Sequence, residues 1–461
     1  MKSYSTYPVK IRETEYNKAL KDTVRLYRGA VDFYICVILN NWEAFSMLKA
    51  QNEYIQYAET LTVKTTLRPE VAYDFGKEYY KFPSYLRRAA IAEAYGKVSS
   101  YKSTLSNWLA TPARERKGKP SKPRAGYVYP AMYRDNCYVR KDTYTAELKV
   151  WIRNTWDWIR ITFRKSDADY IEHHCKPFKA SSKIEGTITS RKECVPTLQK
   201  RGKEWFLDFV FEETIGLRDT SVFKQTILAV DLGINNCCVC SVMRSDGTII
   251  GRRFLSLPQE YDCLKRKTDH IKRAQKHGSR STPKLWAAAK GINDRIAVLT
   301  AQFITDTAAK YNADVVVFEH LDVRGKKRGS RKQKLHLWKA SYVQSMVTHK
   351  VHRLGMKVSR ICAWGTSRLA FDGSGRVKRG NESEKTNNNY SICEFQSGKI
   401  YNCDLNASYN IGARYFVREI TKSLSVTMGQ HIMAKVPGCA KRSTCTLSSL
   451  INLNAVLHAE A

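Results

Sequence analysis

A multidomain chain is predicted, with an α/β domain in the C-terminal half and an all-β domain carrying a helical insertion in the N-terminal half. Three observations predict it. Apolar residues recur at three-and-four spacing between Glu15 and Trp108, the period of a buried helix face. Between Tyr127 and Glu213 the period falls to two, as in half-buried strands. After Phe223, short continuous apolar runs alternate with long helical stretches, the pattern of a sheet covered on both faces.

Residues 1–14 read as a short extended segment (Tyr7, Val9, Ile11), and the helical block covers residues 15–110. In it, Leu20, Val24, Tyr27 and Val31 mark one face; Tyr85, Ala89, Ala92 and Tyr95 mark another. Thr111 to Arg124 holds six Lys/Arg, three Pro and a Gly with no apolar period. It reads equally as a solvated linker or as a clamp on nucleic-acid phosphates. Strands follow at Trp158–Phe163, Ser182–Ser190 and Glu204–Glu212, and their spacing predicts a small antiparallel barrel from residues 1–14 and 111–222.

In the C-terminal half, Thr226–Val230 is a buried strand ending in Asp231-Leu232-Gly233. A hairpin turning at Asp246-Gly247 follows, then a basic helical stretch from Tyr261 to Tyr311. Next come a buried strand (Asp314–Phe318) ending in Glu319, a basic loop (Arg324–Lys334), a helix (Leu337–Leu354), a strand (Lys357–Ala363) and a helix opening at Asp404. Three consecutive strands, then helix, strand, helix, strand and helix, is an RNase H-like order. That domain is expected over residues 223–363 and 400–420, with an insertion at 364–399. Residues 421–461 show no pattern that assigns them a role.

Composition narrows the function. A formal net charge of +35 on 461 residues calls for a polyanion, most simply nucleic acid, because the basic residues are clustered and interleaved with aromatics. The best apolar stretch, Ala30 to Trp42, is too short to span a bilayer and contains Asp32, so no membrane partner is expected. Residues 1–14 lack the apolar region of a signal peptide. Thirteen cysteines at irregular spacing fit reduced thiols in a cytoplasmic protein better than a secreted disulfide framework.

Three acidic residues stand out by position. Asp231 ends the first core strand, Glu319 ends a later buried strand, and Asp404 opens a helix. In an RNase H-like sheet those strands are neighbours and the helix packs over the same end. Converging carboxylates repel unless cations lie between them, and Mg²⁺ prefers oxygen donors. Two such ions are suited to phosphodiester hydrolysis. Each residue also has a plainer reading: Asp231 as a turn, Glu319 as a solvated loop residue, and Asp404 as a helix N-cap. The ordered set inside a strongly basic chain is what raises the chemical reading above these.

At these residues the sequence resembles the TnpB family of transposon-encoded RNA-guided nucleases and the related compact type V CRISPR effectors. ILAVDLGINN (227–236), VVVFEHL (315–321) and NCDLNASYNIGARY (402–415) resemble the family's three RuvC motifs. WGTSRLA (364–370) resembles the segment leading into its zinc finger. The resemblance implies that Asp231, Glu319 and Asp404 are catalytic and hold two Mg²⁺. It implies a wedge-like barrel with an inserted helical recognition lobe, a guide RNA, a double-stranded DNA target and an RNA–DNA hybrid; the oligomeric state stays open, with a monomer favoured. It leaves open whether the guide derives from a transposon end or a CRISPR array. The departure is at the finger. The family's two Cys-x-x-Cys pairs fall here on Ala370, Gly373, Cys393 and Gln396, which argues against Zn²⁺ and for a finger remnant held by packing. Cys237 and Cys240 do form Cys-x-x-Cys, but at the start of a core strand, where buried thiols are the better reading.

The candidate nucleic-acid contacts are Arg114, Arg116, Lys117, Lys119, Lys122, Arg124, Lys265, Arg266, Lys272, Arg273, Arg324, Lys326, Lys327, Arg328 and Arg368. Charge alone supports them as phosphate guides, not as base readers. Trp108, Trp338 and Trp364 lie near basic residues, but core packing is the commoner use of such a Trp. Two rivals remain. A DDE-type transposase shares the fold class but runs Asp, Asp, Glu, whereas the order here is Asp, Glu, Asp. An RNA-guided DNA-binding repressor would most simply lack one carboxylate, and all three are present.

Overall fold

The computed structural model describes residues 1–116, 118–181, 185–233, 237–279, 281–321, 339–439 and 441–460. The chain divides into two compact units. One comprises Lys2–Lys179 and Ser190–Glu213; the other comprises Met1, Ala180–Thr189 and Thr214–Ala461.

The first unit contains β1 (Lys2–Lys10), α1 (Asn17–Asn40), α2 (Trp42–Met47), α3 (Gln51–Thr62), α4 (Phe75–Glu78), α5 (Ser84–Ala110), β2 (Tyr138–Arg140), β3 (Thr145–Ile152), β4 (Thr155–Thr162), α6 (Lys165–His174), β5 (Phe178–Lys179), β6 (Ile188–Glu193), β7 (Thr197–Arg201) and β8 (Glu204–Ile215). The apolar face of α1 buries Leu20, Val24, Tyr27, Val31, Tyr34 and Ile38. It meets Leu86, Ala90, Ala94 and Val98 of α5, whose two alanines let the helices approach closely. The same apolar cluster takes in Leu148 of β3 and Leu207 and Phe209 of β8, so helices and strands share one core.

The barrel expectation is corrected. Among the described residues the strands form two open sheets, β1-β8-β6-β5 with β7 on β8, and β2-β3-β4. Single bridges at Ile11–Phe163 and Ala131–Thr197 link strand ends without closing a barrel. One reason is α6, a helix inside the stretch read as period two. It buries Ala168 and Ile171 three residues apart and follows Arg164 out of the sheet.

The second unit contains β9 (Thr226–Asp231), β10 (Cys238–Arg244), β11 (Ile249–Leu255), α7 (Pro258–Lys276), α8 (Pro283–Lys310), β12 (Val315–His320), α9 (Ala340–Arg353), β13 (Lys357–Cys362), β14 (Lys378–Arg379), β15 (Ile392–Glu394), β16 (Ile400–Asn402), α10 (Cys403–Ser423), α11 (Val426–Lys435) and α12 (Leu447–Glu460). The basic helical stretch is therefore two helices. Gly278 at φ +86° ends the first and Pro283 starts the second.

The main sheet runs β11-β10-β9-β12-β13. The first three strands pair antiparallel, and β9-β12 and β12-β13 pair parallel. Strand residues alternate between two cores, as a period of two requires. Leu228, Val230, Val316 and Phe318 pack under Ala301 and Ile304 of α8 and Val343 and Val347 of α9. Ile227, Ala229, Val315 and Val317 pack under α10 through Tyr409, Ile411 and Phe416. Residues 378–402 hold a three-stranded sheet, β14-β15-β16, around Ala370, Val377, Cys393, Phe395 and Cys403. Residues 421–461 also correct the reading of a patternless tail. They hold α11 and α12, whose Ile432, Leu447, Leu450 and Leu453 belong to the α10 core.

Gly412 sets how closely α10 lies on the sheet. A Cβ there would stand 2.8 Å from Met243 Cε and 3.3 Å from Ala229 Cβ. The methionine end can swing away, but the alanine on β9 cannot. Gly412→Val is expected to cost about 1–3 kcal/mol by overpacking, and Gly412→Ala less. Urea denaturation of the two variants checks the order.

Candidate active site

The site is built at the C-terminal ends of two parallel strands. The β9-β12 register pairs Val315 with Ile227 and continues to Phe318 with Val230. The next pair in that register is Glu319 with Asp231. Neighbouring strands lie about 4.8 Å apart, so the two carboxylates stand side by side. They share the face of Ile227, Ala229, Val315 and Val317, which α10 covers. Asp404 is the second residue of that helix. The N-cap role is taken by Asn402, whose side chain accepts from the Leu405 amide at 2.9 Å. The plainer reading of Asp404 as a cap is thus overturned.

Electrostatics links Asp231 to the other two carboxylates. Burial, then the Glu319 and Asp404 carboxylates, hold the Asp231 carboxyl well above the usual carboxylate range, and the nearby Arg379 guanidinium opposes that rise. Burial likewise raises Glu319, against the Thr366 hydroxyl and the Arg414 charge, which favour its ionised form. Thr366 Oγ1 donates to Glu319 Oε1, and Gln344 Nε2 donates to the Glu319 carbonyl at 3.0 Å. Among the described residues no three His, Cys, Asp or Glu side chains stand together in a ready-made metal cage. The donor set still suits Mg²⁺, which takes oxygen ligands, keeps several waters and binds through only one or two carboxylates. The repulsion that lifts Asp231 is what a cation between the carboxylates would relieve.

Behind the carboxylates lies a polar ladder that sequence reasoning missed. Asn406, Asn410 and Arg414 recur every fourth residue on α10 and are all buried. Asn406 Nδ2 donates to the Leu369 carbonyl at 2.9 Å, and its Oδ1 accepts from the Phe371 amide at 2.8 Å. Asn410 Nδ2 donates to the Thr366 and Leu369 carbonyls at 2.9 and 2.8 Å. Arg414 donates to the carbonyls of Cys362, Trp364, Ser443 and Cys445 at 2.6–3.1 Å. The ladder fixes the 362–371 segment, and with it the Thr366 hydroxyl on Glu319. The missed signal is polar residues at helical spacing on the apolar face of NCDLNASYNIGARY. Arg379 was missed too, because the charge of a two-residue strand, β14, does not announce which site it faces.

The candidate nucleic-acid residues divide. Lys119, Lys122 and Arg124 are exposed, as are Lys265, Arg266, Lys272 and Arg273 along α7. Lys122 and Arg124 line a cleft of about 1060 Å³ in the first unit, against Lys97, Ser100 and Tyr101 of α5. Arg116 is occupied internally: it donates to the Thr111 and Leu109 carbonyls and lies 5.0 Å from the Trp108 ring centre, closing the end of α5. Arg114 pairs with Glu115 at 3.6 Å, and Arg368 with Glu382 at 3.5 Å. Lys117, Arg324, Lys326, Lys327, Arg328 and Trp338 lie outside the described residues. All thirteen cysteines are free thiols, and Cys237 and Cys240 are buried. No helix among the described residues is long and apolar enough to cross a membrane.

Fold and site together define a mixed α/β protein of several sheets, with Asp231 and Glu319 at the ends of two adjacent parallel strands and Asp404 in the first turn of α10. Residues 5–152 match the Aq_aa04 family. The uncharacterized protein aq_aa04 of Aquifex aeolicus (strain VF5) is 30% identical over 140 residues, 27% of this chain and 79% of that protein. The chain belongs to the Aq_aa04 family. Solved structures similar to it include a Cas12f1–sgRNA–target DNA complex, at TM-score 0.33 and 13% identity over 89% of this chain and 98% of that one. An AacC2c1–sgRNA binary complex matches at TM-score 0.41 and 9% identity over 84% and 65%. CasPhi-2 (Cas12j) bound to crRNA matches at 0.36 and 10% over 89% and 97%.

Proposed function

We propose that this chain is an RNA-guided DNA endonuclease whose second unit is an RNase H-like, RuvC-type nuclease. The observation that supports the reading is that Asp231 and Glu319 end two adjacent parallel strands, with the Glu319 and Asp404 charges both raising the Asp231 carboxyl. The three RuvC-like motifs contain those three residues, and the chain's net charge of +35 suits a polyanionic substrate.

Asp231, Glu319 and Asp404 are the residues that would hold Mg²⁺. When bound, such ions supply water activation and stabilisation of the leaving oxygen. Thr366 keeps the Glu319 carboxylate turned into the cluster. Arg379 supplies positive charge beside Asp231, where a phosphate oxygen would approach. The reaction adds water across a DNA phosphodiester, leaving a 5′-phosphate and a 3′-hydroxyl, and one such site serves both strands in turn, the non-target strand first. The exposed cations of α7 and the Lys122–Arg124 cleft guide and hold backbones, while guide pairing supplies sequence choice. The finger remnant works without Zn²⁺, since Ala370, Gly373 and Gln396 offer no thiolates.

The test purifies the protein with its copurifying RNA, sequences that RNA, and offers duplex DNA carrying the matching target. Cleavage is expected only with RNA and Mg²⁺ both present, and EDTA should abolish it. Binding of the matched target with no cleavage at any Mg²⁺ concentration would sink the enzyme reading and favour the repressor.

A further inference from the structure

Trp364 is 67% exposed, although it lies two residues from Thr366, the hydroxyl that holds Glu319. A large ring left in water beside a buried polar cluster is not explained by packing. Nor is its backbone loose. The Trp364 carbonyl accepts from Arg414 Nη1 at 2.7 Å, and the Ser443 carbonyl accepts from Nη2 of the same guanidinium at 2.6 Å. A Cβ on Gly365 would sit 3.7 Å from the Ser443 carbonyl oxygen. The strap around Ser443 is thereby fixed against the Trp364 turn, and its Lys441 and Arg442 are exposed. Arg368, four residues on, is also exposed, beside its Glu382 partner. An exposed indole on a clamped backbone, with an exposed cation on its own turn, two more on the strap fixed to that turn and Thr366 on Glu319 two residues away, has the composition of a single-strand binding platform. Cations alone would hold any duplex backbone. A bare aromatic face gains little from a duplex, whose bases are already stacked.

We infer that Trp364, with Arg368, Lys441 and Arg442, forms a platform that seats single-stranded DNA beside the carboxylates, the ring stacking on a base and the cations taking phosphates. This rests on the nuclease reading for its purpose but not for its detection. The platform also gives a use to the segment before α12, which Arg414 ties to the Trp364 turn through the Ser443 and Cys445 carbonyls.

The experiment uses the full chain with its copurified RNA, in EDTA, and a fluorescein-labelled thymidine oligonucleotide followed by anisotropy. Salt is raised so that phosphate contacts weaken and stacking carries more of the affinity. Trp364→Ala is expected to weaken binding roughly 5- to 150-fold, the range for loss of one base-stacking ring, and Trp364→Phe to restore most of it. An oligonucleotide of abasic sites should bind wild type and Trp364→Ala alike. Lys441→Gln with Arg442→Gln should flatten the salt dependence. Equal affinity of wild type and Trp364→Ala for the thymidine strand at every salt concentration overturns the inference, as does an equal loss on the abasic strand. Thermal melting confirms that the variants fold. Guided cleavage is scored separately. If wild type cuts but Trp364→Ala binds and cuts like it, the platform fails and the nuclease stands. If nothing cuts while the stacking difference persists, the nuclease fails and the platform stands.

Discussion

Asp231→Asn is expected to lower guided DNA cleavage by about four orders of magnitude, roughly 5 kcal/mol of barrier, while raising the melting temperature of magnesium-free protein at pH 7. Opposite signs arise from one cause. Burial and the Glu319 and Asp404 carboxylates disfavour the charged form of Asp231, so its pKa is higher folded than unfolded. Below the unfolded value, near ~3.9, the group is protonated in both states and no penalty exists. The penalty grows as pH rises from there towards the folded pKa and is constant above it. The amide variant escapes it, so its gain, on the order of 2–4 °C per kcal/mol, should grow as pH rises above ~3.9 and vanish below it. Magnesium should raise the melting temperature of wild type by binding the folded state and should raise that of the variant far less. Scanning calorimetry at several pH values, beside a cleavage time course, reads both effects. A variant that cuts at the wild-type rate, or that is less stable than wild type at pH 7, would contradict a repelling carboxylate cluster.

The carboxylates were legible because each closes or opens a recognisable element. Asp231 and Glu319 end runs of β-branched and aromatic residues, and parallel register then brings them together without further information. Asp404 was legible only as part of the set, since any Asp near a helix start resembles a cap; that Asn402 takes that role is settled by hydrogen-bond geometry. The supporting groups were hidden for physical reasons. Thr366 acts through one hydroxyl in a turn, and Arg379 through its place beside Asp231, on a hairpin whose fold depends on the small core around Cys393. In the first unit, alternation revealed strands but not how they associate. Sheet closure depends on registers and bridges among segments far apart in sequence, and α6 interrupts the period within a few residues. The helices of residues 421–461 were obscured by Ser, Asn and Thr between their leucines; Leu447, Leu450 and Leu453 form a face only once α10 is there to meet it. Exposed cations remain the least legible class. Arg116 and Lys122 look alike in the sequence, yet one closes a helix end and the other lines an open cleft.

Arg414→Met is expected to produce the largest loss of stability of any single change around the site. The guanidinium is 4% exposed and donates to four main-chain carbonyls drawn from two segments, Cys362 and Trp364 at and after the end of β13, and Ser443 and Cys445 before α12. None of these carbonyls belongs to a carboxylate. The cation is held by dipoles, and burial pulls its pKa down against the raising influence of Cys362, Cys445 and Glu319. Methionine fills much of the volume but donates nothing, leaving several shielded acceptors without partners. The cost should be about 3–5 kcal/mol, a fall of roughly 10 °C for a unit of this size. Arg414→Lys keeps the charge, but an ammonium at the end of a flexible stem cannot span carbonyls that a planar fork reaches together. It should recover less than half the loss. The carbonyls of Trp364 and Thr366 are tied through Arg414 and Asn410, so the lysine variant should also lose cleavage beyond what its stability explains, because Thr366 then holds Glu319 less firmly. Amide hydrogen exchange at residues 364–371 and 443–450, measured well below the melting temperature, locates the damage. Protection unchanged in both segments, with a melting temperature within a degree or two of wild type, would mean that the clamp does not hold the site together.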